Sequence, residues 1–163
     1  MYIFNEGGKV MKIIENYYIN RATCAIIPIE KNLSKVIEDE NTYYVQKSTT
    51  SIVDESCKYF GSSYKGRVEG SKRILNMNYK LPIIVEEINN IIFFPTSSPR
   101  FDDCIWLSLN NIKKYDKSES SSNSKVVFNC GNDLDLDISF YSLESQVFRS
   151  TMLESLIRKR KNV

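Results

Sequence analysis

Ser56-Cys57-Lys58-Tyr59-Phe60-Gly61-Ser62-Ser63-Tyr64-Lys65-Gly66-Arg67-Val68-Glu69-Gly70-Ser71-Lys72-Arg73 decides how the chain divides. Upstream of Gly61, residues Ile52, Val53, Ser56, Tyr59 and Phe60 recur at helical spacing, with Thr50 or Ser51 placed to cap the first turn and Gly61 placed to end the helix. The stretch holds three of the six glycines. Glycine lets a backbone turn tightly or lie close to a partner. Lys58, Lys65, Arg67, Lys72 and Arg73 stand among them with a single acid, Glu69. Residues 58–80 carry 6 basic and 1 acidic side chains, net +5, although the whole chain is only +2. The basic excess is therefore confined to one short region. Basic side chains with hydroxyls and amides form a phosphate-seeking surface, while the plainer reading of the same stretch is a solvated, turn-rich loop.

On both sides of this segment the sequence reads as strand. Tyr17-Tyr18-Ile19 and Thr23-Cys24-Ala25-Ile26-Ile27-Pro28-Ile29 predict a hairpin around Asn20-Arg21, with Pro28 at an edge or strand end. Lys35–Glu38 and Thr42–Gln46 flank Asp39-Glu40-Asn41 and predict a second hairpin. Leu81–Glu86 and Ile91–Pro95 are apolar runs split by a polar turn, as paired buried strands are. Pro95–Asp103 is expected to be a loop, with Arg100 near its middle, and Trp106 a core residue. Asp116–Ser124 is a polar loop. Lys125–Phe128 and the alternating Leu134-Asp135-Leu136-Asp137-Ile138 form a hairpin with one wet face. A final helix, capped by Ser139 or Ser142, is expected to bury Leu143, Val147, Phe148, Met152, Leu156 and Ile157. Arg158-Lys159-Arg160-Lys161 closes it, suited to the helix C-terminus or to DNA phosphates. The fold class is α+β: a single domain, mainly antiparallel sheet, with a short central helix and a longer C-terminal one.

At 163 residues the chain has room for one core. Ten Tyr and eight Phe favour strands. Glu6-Gly7-Gly8-Lys9 ahead of Met11 reads as a translated ribosome-binding sequence. Residues 1–10 are therefore expected to be an extension or disordered tail, and residues 11–163 a single domain. No apolar run approaches the ~20 residues of a membrane span, and the N-terminus lacks a signal-peptide pattern. The expected location is cytoplasmic.

Several chemistries drop out. The chain has no histidine, which removes Ser-His-Asp and Cys-His catalysis, histidine metal sites and histidine pH switching. Cys24, Cys57, Cys104 and Cys130 are widely spaced, with no Cys-x-x-Cys pair, and read as buried free thiols. A four-cysteine zinc site would need a coincidence of folding. Ser62-Ser63-Tyr64-Lys65 contains Ser-x-x-Lys without the partner motifs of penicillin-recognising enzymes. Gly61–Gly66 lacks the ending of a phosphate loop, and Asp133, Asp135 and Asp137 lack the offsets of a calcium loop. Glu86-Glu87 sits beside a turn and reads as solvated. No catalytic residue, metal ligand or cofactor is expected, and the chain is not expected to be an enzyme.

Ile52-Val53-Asp54-x-Ser56-Cys57-x-Tyr59-Phe60-Gly61-Ser62-Ser63-Tyr64-x-Gly66-Arg67 resembles the signature of the competence transcription factor family (ComK). Further blocks follow in family order: Pro82-Ile83-Ile84-Val85, then Phe93-Phe94-Pro95-Thr96-Ser97-Ser98, then Trp106 with Ile112, then Ile138-Ser139-x-Tyr141-Ser142-x-Glu144-x-Gln146-Val147. The resemblance covers about residues 13 to 160. It implies a cytosolic, nucleoid-associated activator of bacterial DNA-uptake genes, without enzymatic activity or cofactor. It also implies recognition of paired A/T-rich boxes of double-stranded DNA, largely through the minor groove, with DNA bending and homo-oligomeric assembly. RNA polymerase and a proteolytic adaptor are implied as protein partners. Family members commonly extend past the point matching Val163, and that tail is implicated in assembly and adaptor capture. The DNA contacts expected here are Arg67 and Lys65 in the groove, and Lys58, Lys72, Arg73, Arg158, Lys159 and Arg160 on phosphates. The alternative role is a paralogue that modulates a longer family member without activating alone.

Overall fold

The computed structural model describes residues 3–119 and 123–162. The α+β class expected from the sequence is the class found, with the sheet mostly antiparallel. The larger sheet runs β1 (Ile3–Glu6), β2 (Lys9–Ile14), β5 (Thr42–Val45), β4 (Leu33–Glu38), β3 (Thr23–Glu30), β8 (Trp106–Ser108), β7 (Ile91–Pro95), β6 (Ile83–Glu86). Its neighbours pair antiparallel except β2 with β5, which are parallel through Ile13–Tyr44 and Ile14–Val45. A three-stranded sheet places β10 (Asn123–Phe128) between β9 (Ile112–Lys117) and β11 (Asp133–Ser139). Three helices complete the fold: α1 (Thr49–Tyr59), α2 (Tyr64–Leu75) and α3 (Phe140–Lys161). Among the described residues, no helix is long and apolar enough to cross a membrane.

The central strands are buried on both faces, which explains their continuous apolar runs. Strand alternation sends Ile26, Phe93 and Trp106 to one face, where Ile52, Val53 and Cys57 of α1 cover them. It sends Ala25, Phe94 and Leu107 to the other, under Val126 and Phe128 of β10 and Leu143 of α3. A third cluster joins Leu75 of α2 and Leu153 of α3 across Ile84 and Ile92. The two helices thus meet over the β6–β7 end of the sheet.

Several expectations give way. Tyr17–Ile19 is not a strand, and β3 pairs with β4 through the Lys31-Asn32 turn. The Tyr17 hydroxyl donates to Glu38 Oε1 at 2.5 Å, and the Ile19 N–H donates to Ser56 Oγ at 3.0 Å. Those polar groups are thus committed to β4 and α1 rather than to a ladder. The glycine-rich basic segment is neither loop nor extended chain: it is α2. The α1 cap is Ser48, whose side chain accepts the Ser51 N–H, in place of Thr50 or Ser51. Gly61 ends that region with φ +87°, as its type suggested. Ser139 caps α3. The α3 stripe is turned by about one residue: Leu143, Gln146, Ser150 and Leu153 are buried while Phe148 is 69% exposed and Met152 36%. Gln146 is accommodated because its Nε2 donates to the Lys80 and Pro95 carbonyls at 2.9 and 2.7 Å. Residues 3–6 and 9–14, largely within the stretch expected to be an extension or tail, carry the β1–β2 hairpin. Residues 1–2 of that stretch and 120–122 of the polar loop lie outside the described residues.

Candidate nucleic-acid interface

The site is built on the corner between α1 and α2. Ser63 adopts extended backbone and its hydroxyl accepts the Gly66 N–H at 3.0 Å, capping α2. Asp54 of α1 accepts the Tyr64 N–H at 3.0 Å and ion-pairs with Lys58 at 2.9 Å. One carboxylate therefore caps the second helix from the first. The Lys58 ammonium, then the Tyr64 N–H, hold the Asp54 carboxyl below its usual range, against the opposing effect of burial. Ser56, buried in α1, donates back to Ile52 O at 2.7 Å while accepting the Ile19 N–H. Tyr64, the first residue of α2, packs edge-on against Trp106 at 5.9 Å. The corner is fixed at both ends.

This geometry divides α2 lengthwise. Tyr64, Val68, Ser71 and Leu75 face the protein at i, i+4, i+7 and i+11. Lys65, Gly66, Glu69, Gly70, Lys72 and Arg73 are exposed. A Cβ added at Gly70 would meet nothing within 4 Å, and one at Gly66 would meet only the Ser63 and Ser62 hydroxyls, at 3.2 and 3.6 Å. Gly66, Gly70 and Arg73 fall on one line along the helix, with Lys65, Glu69 and Lys72 beside it. Among the described residues, no ion pair engages Lys65, Lys72 or Arg73.

Glu87, in the turn after β6, joins α2 to α3. It accepts from Arg67 NH1 at 2.8 Å and from Lys161 Nζ at 3.2 Å. These two bonds, Arg67 first, hold its carboxyl below the ordinary value. The Arg67 side chain is only 19% exposed, and its Nε is buried without a hydrogen-bond partner among the described residues. Arg67 is therefore an anchor between elements in this state, not a side chain projecting into solvent. Arg158 pairs with Glu154 one turn back at 3.0 Å, whereas Lys159 and Arg160 are exposed with no ion pair among the described residues.

Lys58 and Lys65 are thus displayed beside the α1–α2 corner, Lys72 and Arg73 on the last turn of α2, and Arg158, Lys159 and Arg160 on the end of α3, with Glu87 tying Lys161 to Arg67. Sequence reasoning missed Glu87, which it left as a solvated acid, and Lys161, which belongs to the same basic run as Arg158–Arg160. It also passed over Arg149, whose guanidinium lies over the Tyr79 ring at 5.7 Å and donates to the Tyr79 carbonyl at 3.1 Å. The three buried cysteines, Cys24, Cys57 and Cys104, are as read, but Cys130 is exposed in the β10–β11 turn.

The ComK protein family model matches residues 14–162. Over 150 residues the chain is 37% identical to a competence transcription factor of Bacillus subtilis (strain 168), an alignment that covers 90% of this chain and 78% of that relative. No solved structure matches it.

Proposed function

The chain belongs to the ComK family, and from that premise we propose that it is a DNA-binding transcriptional activator of bacterial competence genes. It docks the α2–α3 face on paired A/T-rich boxes and reads them largely through the minor groove. One observation carries this reading. α2 turns toward solvent a strip of bare backbone, Gly66 and Gly70, bordered by Glu69 and by Lys65, Lys72 and Arg73, cations that make no ion pair among the described residues. A glycine inside a helix costs about 1 kcal/mol relative to alanine. Among the described residues nothing outside the helix lies within 4 Å of a Cβ at Gly70, so internal packing gives no reason for the glycine. A partner that must come close to the helix backbone does. A duplex is such a partner, because its phosphates seek cations and the narrow groove of A-tracts is strongly negative.

The eight cations enter this reading differently. Lys65, Lys72, Arg73, Lys159 and Arg160 contact DNA directly. Lys58 and Arg158 exchange their i,i+4 acids for phosphate, a small cost because such pairs contribute only about 0.3–0.5 kcal/mol. Arg67 positions α2 against Glu87, and enters the groove only by leaving that carboxylate. The active species holds more than one copy of the chain on a box pair. It works in the cytoplasm, at the nucleoid, with RNA polymerase as recipient and a proteolytic adaptor as its means of removal.

Anisotropy of a labelled duplex carrying two A/T boxes, against a G/C-substituted duplex over a salt series, tests the proposal. Box-dependent binding is expected, and Lys72→Ala should reduce the log–log salt slope by about one. Equal, salt-insensitive binding of both duplexes would remove the DNA-reading role. Co-purification with a longer family member would then select the modulating paralogue.

A further inference from the structure

Cys24, in β3, and Asp39 and Cys130, in two separate turns, come from three segments of the sequence. Their two Sγ atoms and a carboxylate oxygen all fall within 4.8 Å of one another. Cys24, at the start of β3, is fully buried; Asp39, in the β4–β5 turn, and Cys130, in the β10–β11 turn, are exposed. We propose that these three side chains form a binding site for a thiophilic divalent cation of the zinc class, clamping the large sheet to the small one.

The convergence is built into the framework. The Asp39 N–H donates to the Ala22 carbonyl at 3.1 Å, fixing the Asp39 turn beside Cys24. Asn111 Nδ2 donates to the Arg21 and Thr23 carbonyls at 3.0 and 2.8 Å, three residues and one residue before Cys24. The Asn111 carbonyl accepts the Asn129 N–H at 2.8 Å, one residue from Cys130. Gly131, at φ +97°, lets the β10–β11 turn close back on itself through a 2.9 Å bond from its N–H to the Phe128 carbonyl. One asparagine therefore holds two of the three ligand-bearing segments in register.

The donor set suits the ion. Two sulfurs and one carboxylate oxygen select zinc-class cations over magnesium or calcium, which prefer oxygen alone. Metal–sulfur bonds of about 2.3 Å and metal–oxygen bonds of about 2.0–2.2 Å require the three atoms to close in by about an ångström. The exposed side chains of Cys130 and Asp39 have room to do so. The Cys24 thiol donates to Asp39 Oδ1 at 3.4 Å and to the Ala22 carbonyl at 3.5 Å. Burial, then the Asp39 carboxylate, push the Cys24 thiol strongly upward, so it keeps its proton while no cation is present. Binding replaces the thiol protons of Cys24 and Cys130 with the 2+ ion and releases both to solvent, and water completes the coordination. The sequence concealed the site because Cys-x-x-Cys spacing is absent and its ligands come from one strand and two separate turns.

The test is a titration of the reduced, full chain with Cd²⁺, following thiolate-to-cadmium absorption in the ultraviolet, paired with Tm measured with and without Zn²⁺. The wild type should saturate at one equivalent and gain Tm with Zn²⁺. Cys130→Ser should abolish the Tm gain and halve the absorption or more. Asp39→Asn, equally exposed, should weaken binding by about tenfold. These variants replace exposed side chains, and their Tm without metal shows that they fold. The proposal is overturned by a wild type that shows neither band nor Tm gain at micromolar metal, or by a Cys130→Ser protein that titrates like the wild type. It is also overturned by protein that yields a Cys24–Cys130 disulfide in air but takes up no Cd²⁺ once reduced. None of these readouts depends on DNA binding.

Discussion

Asp54 and Glu87 do their work as anions. Each is held below its ordinary pKa, Asp54 chiefly by Lys58 and Glu87 chiefly by Arg67. A carboxylate with a depressed folded pKa adds stability above its unfolded value, about 4, and loses it as pH falls through the folded value. Urea midpoints measured from neutral pH downward should therefore fall below about pH 4, and Asp54→Asn and Glu87→Gln should each flatten that fall. Both groups are partly solvated, so each effect will be small. Gln146 gives a larger one. Gln146→Leu removes the donor to the buried Pro95 carbonyl and the partly buried Lys80 carbonyl and should lower stability by about 2 kcal/mol, read as a lower Tm. Phe148→Ser, two residues along the helix but 69% exposed, should move Tm little. From the sequence these two looked reversed, since an apolar stripe counts side chains and not the carbonyls a glutamine can satisfy.

The helices show most clearly what the sequence discloses. α1 is legible because its apolar spacing is uninterrupted and Gly61 stops it. α2 is obscured by Gly66 and Gly70, which suggest loop, and by four cations, Lys65, Arg67, Lys72 and Arg73, that mask its period; yet Tyr64, Val68, Ser71 and Leu75 keep helical spacing behind a Ser63 cap. The β6–β7 and β10–β11 hairpins are legible because their partners are local. The Tyr17–Ile19 segment is not, because its partners, Glu38 and Ser56, lie 21 and 37 residues away. The cations of the candidate site were thus visible in the sequence, but not the helix that arrays them. Two substitutions follow for α2. Ser63→Ala removes the cap and should cost about 1 kcal/mol. Gly70→Ala should raise stability by about 0.5–1 kcal/mol, since its Cβ meets nothing, yet weaken duplex binding if the helix backbone must approach DNA. Chemical denaturation and anisotropy on the same protein separate the two effects, and stabilisation without loss of binding would remove the glycine strip from the interface.

Across the whole molecule the cations proposed to meet DNA come from α1, α2 and the end of α3, and a net charge of +2 gives no hint of them. Glu87 draws α2 and α3 to a common point, through Arg67 and Lys161. Glu87→Gln should change stability by less than about 1 kcal/mol while raising affinity for both A/T and G/C duplexes, because it frees two cations without adding a base contact. A change in box preference rather than in general affinity would mean that Arg67 reads sequence once released.

The single tryptophan, Trp106, has no solvent exposure and rests against Tyr64, the residue that opens α2. The chain thus carries its own optical gauge at the root of the helix in question. Its emission should be blue and hard to quench with iodide. If α2 meets its partner as a rigid rail, that colour will stay fixed through saturation; if the helix lifts from the sheet to do so, the emission will redden in step with occupancy, with no dye attached.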